Sequence, residues 1–250
     1  MGAEASLSAR LRFRLSRLLW PDPAPMPWTY SGDGFQTIHN ADFLHDPRFR
    51  SAYSRAKAAG AWSGADIEWR AHTVCWAAQV AKALEGDFVE CGVDRGGFAA
   101  AAMEYIGFDA LPDRKFYLFD TYCGIPEETL ADDPNRTLLG TLYGDTYDQV
   151  VRTFVTLPNA VIVRGRVPEV LPAASPEKVC YLCIDLNTAA PSAAAAEFFW
   201  DRLVSGAPIV LDDYGQTFFH GMKDALDAFA RHRGVEILAL PTGQGLLFKP

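Results

Sequence analysis

From residue 67 onward, short apolar runs rich in β-branched and aromatic residues alternate with longer stretches whose apolar positions recur at helical spacing. The pattern predicts a helix over 67–84, capped by Asp66 and stopped by Gly86, then a strand at 87–91, a small-residue helix at 97–105, a strand at 115–119 and a helix at 147–156. Strands at 160–163 and 179–184, an Ala-rich helix at 191–203, a strand at 207–211 and a helix at 221–233 continue it. Buried strands joined by helices imply an α/β fold with a mainly parallel sheet and helices on both faces. The tail differs, because the runs 235–240 and 245–249 are joined only by Pro241-Thr-Gly-Gln244. That length permits a hairpin and forbids a crossover, so the last strand is expected to run antiparallel at or near the sheet edge. Five parallel strands and a terminal hairpin make seven.

The stretch 1–64 lacks this alternation and reads as helices and loops, with Pro21, Pro23, Pro25 and Pro27 marking a loop-rich boundary. Two domains are expected: a helical and loop extension over 1–64, serving as lid or subunit contact, and the sheet domain over 65–250.

Composition narrows the class. Of 250 residues, 49% are apolar and 22% charged, which excludes collagen-like and disordered chains, and a chain of this size buries about three quarters of its surface. The 31 acidic against 23 basic side chains give a net charge of −8, the wrong sign for a protein that draws affinity from phosphate backbones, so nucleic acid is not an expected partner. The first twenty residues run against that balance, with Arg10, Arg12, Arg14 and Arg17 facing only Glu4 and interleaved with Leu7, Leu11, Phe13, Leu15, Leu18, Leu19 and Trp20. No apolar run reaches signal-peptide or membrane-spanning length, and a cytoplasmic protein is expected. For this basic amphipathic stretch, packing on the domain or on a second subunit is preferred to a membrane surface, and a homodimer or higher homo-oligomer is expected. The five cysteines, Cys75, Cys91, Cys123, Cys180 and Cys183, lie mostly in apolar runs and read as reduced core thiols. Cys180 and Cys183 have redox-motif spacing, but on a buried strand they should face opposite sides, so redox and zinc roles are rejected.

Chemistry should lie beyond the carboxyl ends of the parallel strands. The first ends in Glu90-x-Gly92-x-x-x-Gly96, where glycine permits a sharp turn and close ligand approach; an ordinary strand-to-helix turn is the competing reading. The second ends in Asp120, placed either to accept hydrogen bonds from vicinal ribose hydroxyls or to cap a turn. Two further strands end in Asp185 and in Asp212-Asp213. Three carboxylates at one sheet edge repel unless a cation neutralises them, and an oxygen-bound magnesium ion suits them; the alternative is a simple turn or helix cap.

With these residues in view, the chain resembles the class I S-adenosylmethionine-dependent methyltransferases, and among them the macrocin O-methyltransferase family. The resemblance spans residues 38–250 and is carried by Gly86-Asp-Phe-Val-Glu-Cys-Gly-Val-Asp-Arg-Gly96, Phe116-Tyr-Leu-Phe-Asp-Thr-Tyr-Cys-Gly-Ile-Pro126 and Ile209-Val-Leu-Asp-Asp-Tyr-Gly215. It implies a Rossmann-like seven-stranded methyltransferase sheet. It also implies that Glu90, Gly92, Val93 and Gly96 line the methionine end of S-adenosylmethionine, that Asp120, Thr121 and Tyr122 surround its ribose, and that Gly165-Arg166 lies near adenine. Asp185, Asp212 and Asp213 match the family's magnesium carboxylates. The implied reaction is methyl transfer to a hydroxyl of a sugar, glycoside or related small molecule, with magnesium lowering the acceptor's pKa.

Asp185 is the expected general base, with His39, His45 and His220 as rivals and His72 read as partly buried structure. Arg48, Arg50, Trp62, Trp69 and Arg70 are candidates for a substrate lid or for helix packing and surface charge. A nicotinamide-dependent oxidoreductase fits the glycine turn, but the thirty positions from Glu90 to Asp120 exceed the usual spacing of about 20, and the carboxylate trio would lack a purpose. A cofactor-binding scaffold without catalysis is the third reading.

Overall fold

The computed structural model describes residues 27–250 and divides the chain into two compact units, Met1–Ala41 and Asp42–Pro250. The amphipathic stretch of the first twenty residues lies outside the described residues.

In the first unit, strands β1 (Tyr30–Gly32) and β2 (Phe35–Thr37) pair antiparallel across Asp33-Gly34, both with positive φ. This hairpin corrects the expectation of helices and loops alone. Its signal was the Asp-Gly dipeptide, whose backbone suits a two-residue turn.

The second unit is built on a seven-stranded sheet with β3 (Asp87–Cys91), β4 (Phe116–Asp120), β5 (Ala160–Arg164), β6 (Val179–Ile184), β7 (Pro208–Leu211), β8 (Leu238–Ala239) and β9 (Gly245–Phe248). The strand order is β5-β4-β3-β6-β7-β9-β8. The first five strands are parallel, and β9 runs antiparallel between β7 and β8. The expected strand over 235–240 contracts to Leu238–Ala239; Val235 and Ile237 pack against the core, but only the last two residues pair with β9.

Two apolar layers cover the sheet. On one face lie α1 (Pro47–Ala58), α2 (Glu68–Ala81), α3 (Gly97–Ile106) and α5 (Tyr147–Phe154), packed on Phe88, Phe116, Leu118 and Val210. On the other lie α6 (Leu171–Ala174), α7 (Ala189–Trp200) and α8 (Met222–Arg233), packed on Val89, Phe119, Leu182 and Leu211. The short α4 (Arg136–Leu142) sits in the long connection between β4 and α5. Within β3 and β4, neighbouring residues divide between the two layers, as strand alternation requires.

Two local expectations are corrected. The helix expected over 67–84 spans Glu68–Ala81, and Asp66 does not cap it: Ile67 holds the cap position without a side-chain bond, while Asp66 pairs with Lys57 at 3.1 Å. Cys180 and Cys183 do not separate across the sheet. A register shift opposite Asp87 and Phe88 leaves Cys180 as an extra residue, and Cys180, Tyr181 and Cys183 all enter one apolar cluster. Both thiols are buried and free, and burial pushes the Cys180 thiol up to about 12. No helix among the described residues is long and apolar enough to cross a membrane.

Candidate active site

The chain leaves β3 towards β4 and β5 on one side and returns to β6 on the other, so the crevice at the carboxyl ends of β3 and β6 is the topological switch point. Gly92 forms its floor. Its φ is +85°, and a Cβ built on it would lie 1.9 Å from the Asp185 carbonyl oxygen, so the chains touch here without room for a side chain. Gly96, also at positive φ, caps α3, and its face is closed by the Phe154 ring at 2.6 Å from a Cβ placed there.

Asp120, at the end of β4, ties two turns together. One carboxylate oxygen accepts the backbone N–H groups of Val93 at 2.6 Å and Asp94 at 2.9 Å, and the other accepts that of Tyr122 at 2.7 Å and the Thr121 hydroxyl at 3.3 Å. The turn expected as the competing reading is therefore present, and Asp120 still faces the crevice beside Thr121. Tyr122 does not face it: the ring is buried in the core and its hydroxyl donates to the Leu118 carbonyl at 2.8 Å.

Asp185, Asp212 and Asp213 are brought together, each offering a ligand oxygen within 4.8 Å of the others. The Asp212 oxygens receive the Arg70 guanidinium at 2.8 Å and the Gln244 amide at 2.8 Å. Asn187, held at φ +58°, donates its backbone N–H to Asp213 at 3.0 Å and its side-chain amide to Asp185 and Asp213, each at 2.9 Å. The Tyr143 hydroxyl donates to the Asn187 amide oxygen. Burial, then the Asp212 charge, pushes the Asp213 carboxyl up to about 7, and burial with both neighbouring carboxylates raises that of Asp185. Glu90 is 1% exposed, its Oε2 has no partner, and burial raises its carboxyl well above the ordinary range.

Two clefts meet at this cluster. One, of about 690 Å³, runs from Gly92 past Asp120 and Thr121 to Gly165 and Arg166. The other, of about 1040 Å³, is lined by Glu90, Val93, Trp62, Phe98, Phe219 and the carboxylates. Asp185, Asn187 and Tyr143 belong to both walls. Arg166 borders the first cleft, paired with Glu128 and, at 3.4 Å, with Glu169.

Sequence reasoning missed Asn187, Tyr143 and Gln244. Asn187 carries a signal, a polar residue two positions after a strand-end carboxylate; Tyr143 and Gln244 come from connections without periodicity. Of the lid candidates, Trp62 and Arg70 line the larger cleft, whereas Arg48 lies 3.9 Å over the Tyr105 ring and Trp69 packs edge-on against Phe43. His72 stacks on Phe43 at 4.1 Å, and burial lowers its pKa. His39, His45 and His220 are exposed.

Residues 69–239 match the macrocin O-methyltransferase (TylF) family. Among solved structures, the chain is similar to the O-methyltransferase NovP at 18% identity and a TM-score of 0.63, over 72% of this chain and 79% of that one. It is similar to the calicheamicin methyltransferase CalS11 at 18% identity and a TM-score of 0.56, over 88% and 99%. The S-adenosylhomocysteine-bound methyltransferase PaMTH1 of Podospora anserina aligns at 11% identity and a TM-score of 0.53, over 98% and 96%. At these identities the likeness is one of fold. No curated protein matches the chain in sequence.

Proposed function

The chain belongs to the macrocin O-methyltransferase family, an S-adenosylmethionine-dependent group, and on that premise we propose that it methylates a hydroxyl of a sugar, glycoside or related small molecule with the help of magnesium. The nicotinamide and scaffold readings give way to membership of this family. The observation that carries the proposal is the placement of Asp185 on the wall common to both clefts, with Asp212 and Asp213 beside it.

The smaller cleft suits the cofactor. It joins the glycine turn after β3 to the Asp120 turn after β4 and to Gly165 and Arg166 after β5, along the carboxyl ends of three neighbouring parallel strands. In this reading Thr121 and the Asp120 turn flank the ribose, Arg166 and Val167 border adenine, and Gly92, which carries no side chain, lets the methionine end approach the backbone at the crevice floor, next to Val93 where the two clefts meet. Glu90, buried with an unpartnered oxygen, faces the cationic end.

The carboxylate cluster fits a hard divalent ion on the chemistry of its donors. All three are oxygen ligands, they converge within 4.8 Å, and burial followed by mutual repulsion raises the pKa values of Asp185 and Asp213 when no cation balances them. When bound, S-adenosylmethionine supplies an electrophilic methyl group and magnesium acidifies a chelated hydroxyl. Asp185, Asp212 and Asp213 hold the ion. Asp185 takes the proton from the acceptor oxygen, because it alone of the three borders both clefts. Asn187 donates to Asp185 and is itself held by Tyr143, which fixes the orientation of that carboxylate, and the shared wall would bring cofactor and acceptor next to each other.

The larger cleft takes the acceptor. Trp62 and Phe98, 5.4 Å apart, give it an aromatic part of the lining besides the carboxylates, which would suit a sugar ring with an apolar face and hydroxyls. Of the similar structures, NovP is an O-methyltransferase and CalS11 a TDP-rhamnose 3'-O-methyltransferase of calicheamicin biosynthesis, which favours a sugar-bearing acceptor here. A cytoplasmic homo-oligomer completes the proposal: the apolar runs of the chain are all shorter than a membrane span, and the amphipathic pattern of the first twenty residues suits a subunit contact.

Asp185→Asn tests the assignment. It should keep S-adenosylhomocysteine affinity within about threefold by calorimetry and lower turnover at least a hundredfold on a glycoside panel read by mass spectrometry. Near-normal turnover, or full activity in excess EDTA, would overturn the metal-assisted mechanism.

A further inference from the structure

The carboxylate cluster already has a cation against it. Arg70, on α2, reaches Asp212 across the contact between α2 and β7; the Nη1–Oδ2 distance is 2.8 Å, with 17% of the arginine side chain and 1% of the aspartate side chain exposed. The second oxygen of Asp212 is taken as well: Gln244, fully buried, donates to Oδ1 at 2.8 Å, and the same amide nitrogen lies 3.4 Å from the Arg70 carbonyl. Asp185 and Asp213 differ from Asp212 here, because the side chain that donates to both of them is the neutral Asn187. Asp212 is thus the member of the trio whose oxygens face a full positive charge at contact distance.

A divalent ion held by the trio needs a lone pair of Asp212, and a guanidinium on that carboxylate opposes it both by taking one of the acceptor positions and by like-charge repulsion in a buried setting. We propose that Arg70 is the resident counter-ion of the carboxylate site and competes with a divalent ion for Asp212. Resting on the metal reading above, this assigns Arg70 a role in setting metal affinity, where the sequence offered either a substrate lid or helix packing and surface charge. The pair keeps Asp212 hydrogen-bonded in the metal-free chain, where an unpaired buried carboxylate would be costly. Metal binding then exchanges one cation for another at that carboxylate.

The test is titration of the full, metal-stripped chain with Mn2+, counting free ion by its EPR signal, without any assay of turnover. Arg70→Met, which keeps most of the side-chain volume and removes the charge, should bind Mn2+ at least tenfold more tightly than the unaltered chain. Arg95→Met is the control: Arg95 lines the same cleft but donates to the Gly60 carbonyl at 2.9 Å, and its loss should change affinity less than threefold. If Arg70→Met lacks a native melting transition, Arg70→Gln, which removes the charge but can still donate to Asp212, should bind Mn2+ more tightly than the unaltered chain by a smaller factor, at least threefold. Equal or weaker Mn2+ binding in the folded Arg70 variant overturns the proposal, and so does an equal gain in Arg95→Met, which would make the effect one of general charge. Failure of all the chains to bind Mn2+ overturns the metal reading itself, an outcome distinct from equal binding in all.

Discussion

Gly92 lies so close to Asp185 that a Cβ on the glycine would sit 1.9 Å from the aspartate carbonyl oxygen and 2.5 Å from its carbonyl carbon. Both atoms are backbone, and the Asp185 N–H is itself held by the Cys91 carbonyl at 2.8 Å, so neither side can give way cheaply.

Gly92→Ala is therefore expected to damage fold and site together. The positive φ costs about 1 kcal/mol or more for a residue with a Cβ, and the clash must be relieved by separating the ends of β3 and β6. Thermal melting should show a drop of at least several degrees, and calorimetry should show S-adenosylhomocysteine binding lost. A variant that melts normally and binds normally would refute the close approach.

Much of this arrangement was legible in the sequence, and the reason is physical. The strand β6 was readable to the residue because Val179–Ile184 is an unbroken apolar run buried on both faces, and strand ends locate Asp120, Asp185, Asp212 and Asp213 without knowledge of the tertiary structure. What periodicity cannot report is pairing and loop position. Residues 235–240 look like a strand because Val235 and Ile237 pack inward, yet only Leu238–Ala239 join β9. Tyr143 reaches Asn187 across forty-four positions from a connection with no repeat, and Gln244 reaches Asp212 from a hairpin turn. Arg70 showed only as a candidate for a lid or for helix packing and surface charge, since which oxygen it meets depends on how α2 lies on β7.

Asp120 holds the turn after β3 to the turn after β4 through three backbone N–H groups. Asp120→Asn supplies one acceptor oxygen where two are used and sets an amide N–H against a backbone N–H. Cofactor affinity should fall at least tenfold, because Val93 and Asp94 lose their fixed position in the cofactor turn, while each lost hydrogen bond to a charged group lowers stability by about 1.5–3 kcal/mol. Isothermal titration with S-adenosylhomocysteine and denaturant melts check both. Affinity within twofold of the unaltered chain would show that the turn holds without the carboxylate.

The buried acids set a pH dependence whose direction follows from their shifts. The Asp213 carboxyl is pushed up to about 7 by burial and the Asp212 charge, and Asp94 is raised to about 6 chiefly by burial. An ordinary carboxyl in the unfolded chain titrates near 3.9. Between about pH 4 and pH 7 the folded chain consequently binds more protons than the unfolded one, so the stability these groups contribute is full below about pH 4 and is lost as pH rises through about 7. The melting temperature of the metal-free protein should fall from pH 5 to pH 8. Magnesium favours the ionised carboxylates, so the rise in melting temperature on adding it should grow over the same interval. Asp213→Asn should flatten the metal-free profile and reduce the magnesium response. Scanning fluorimetry at a series of pH values, with and without magnesium, measures all three; a metal-free melting temperature that rises from pH 5 to pH 8 would contradict the electrostatics assigned to this cluster.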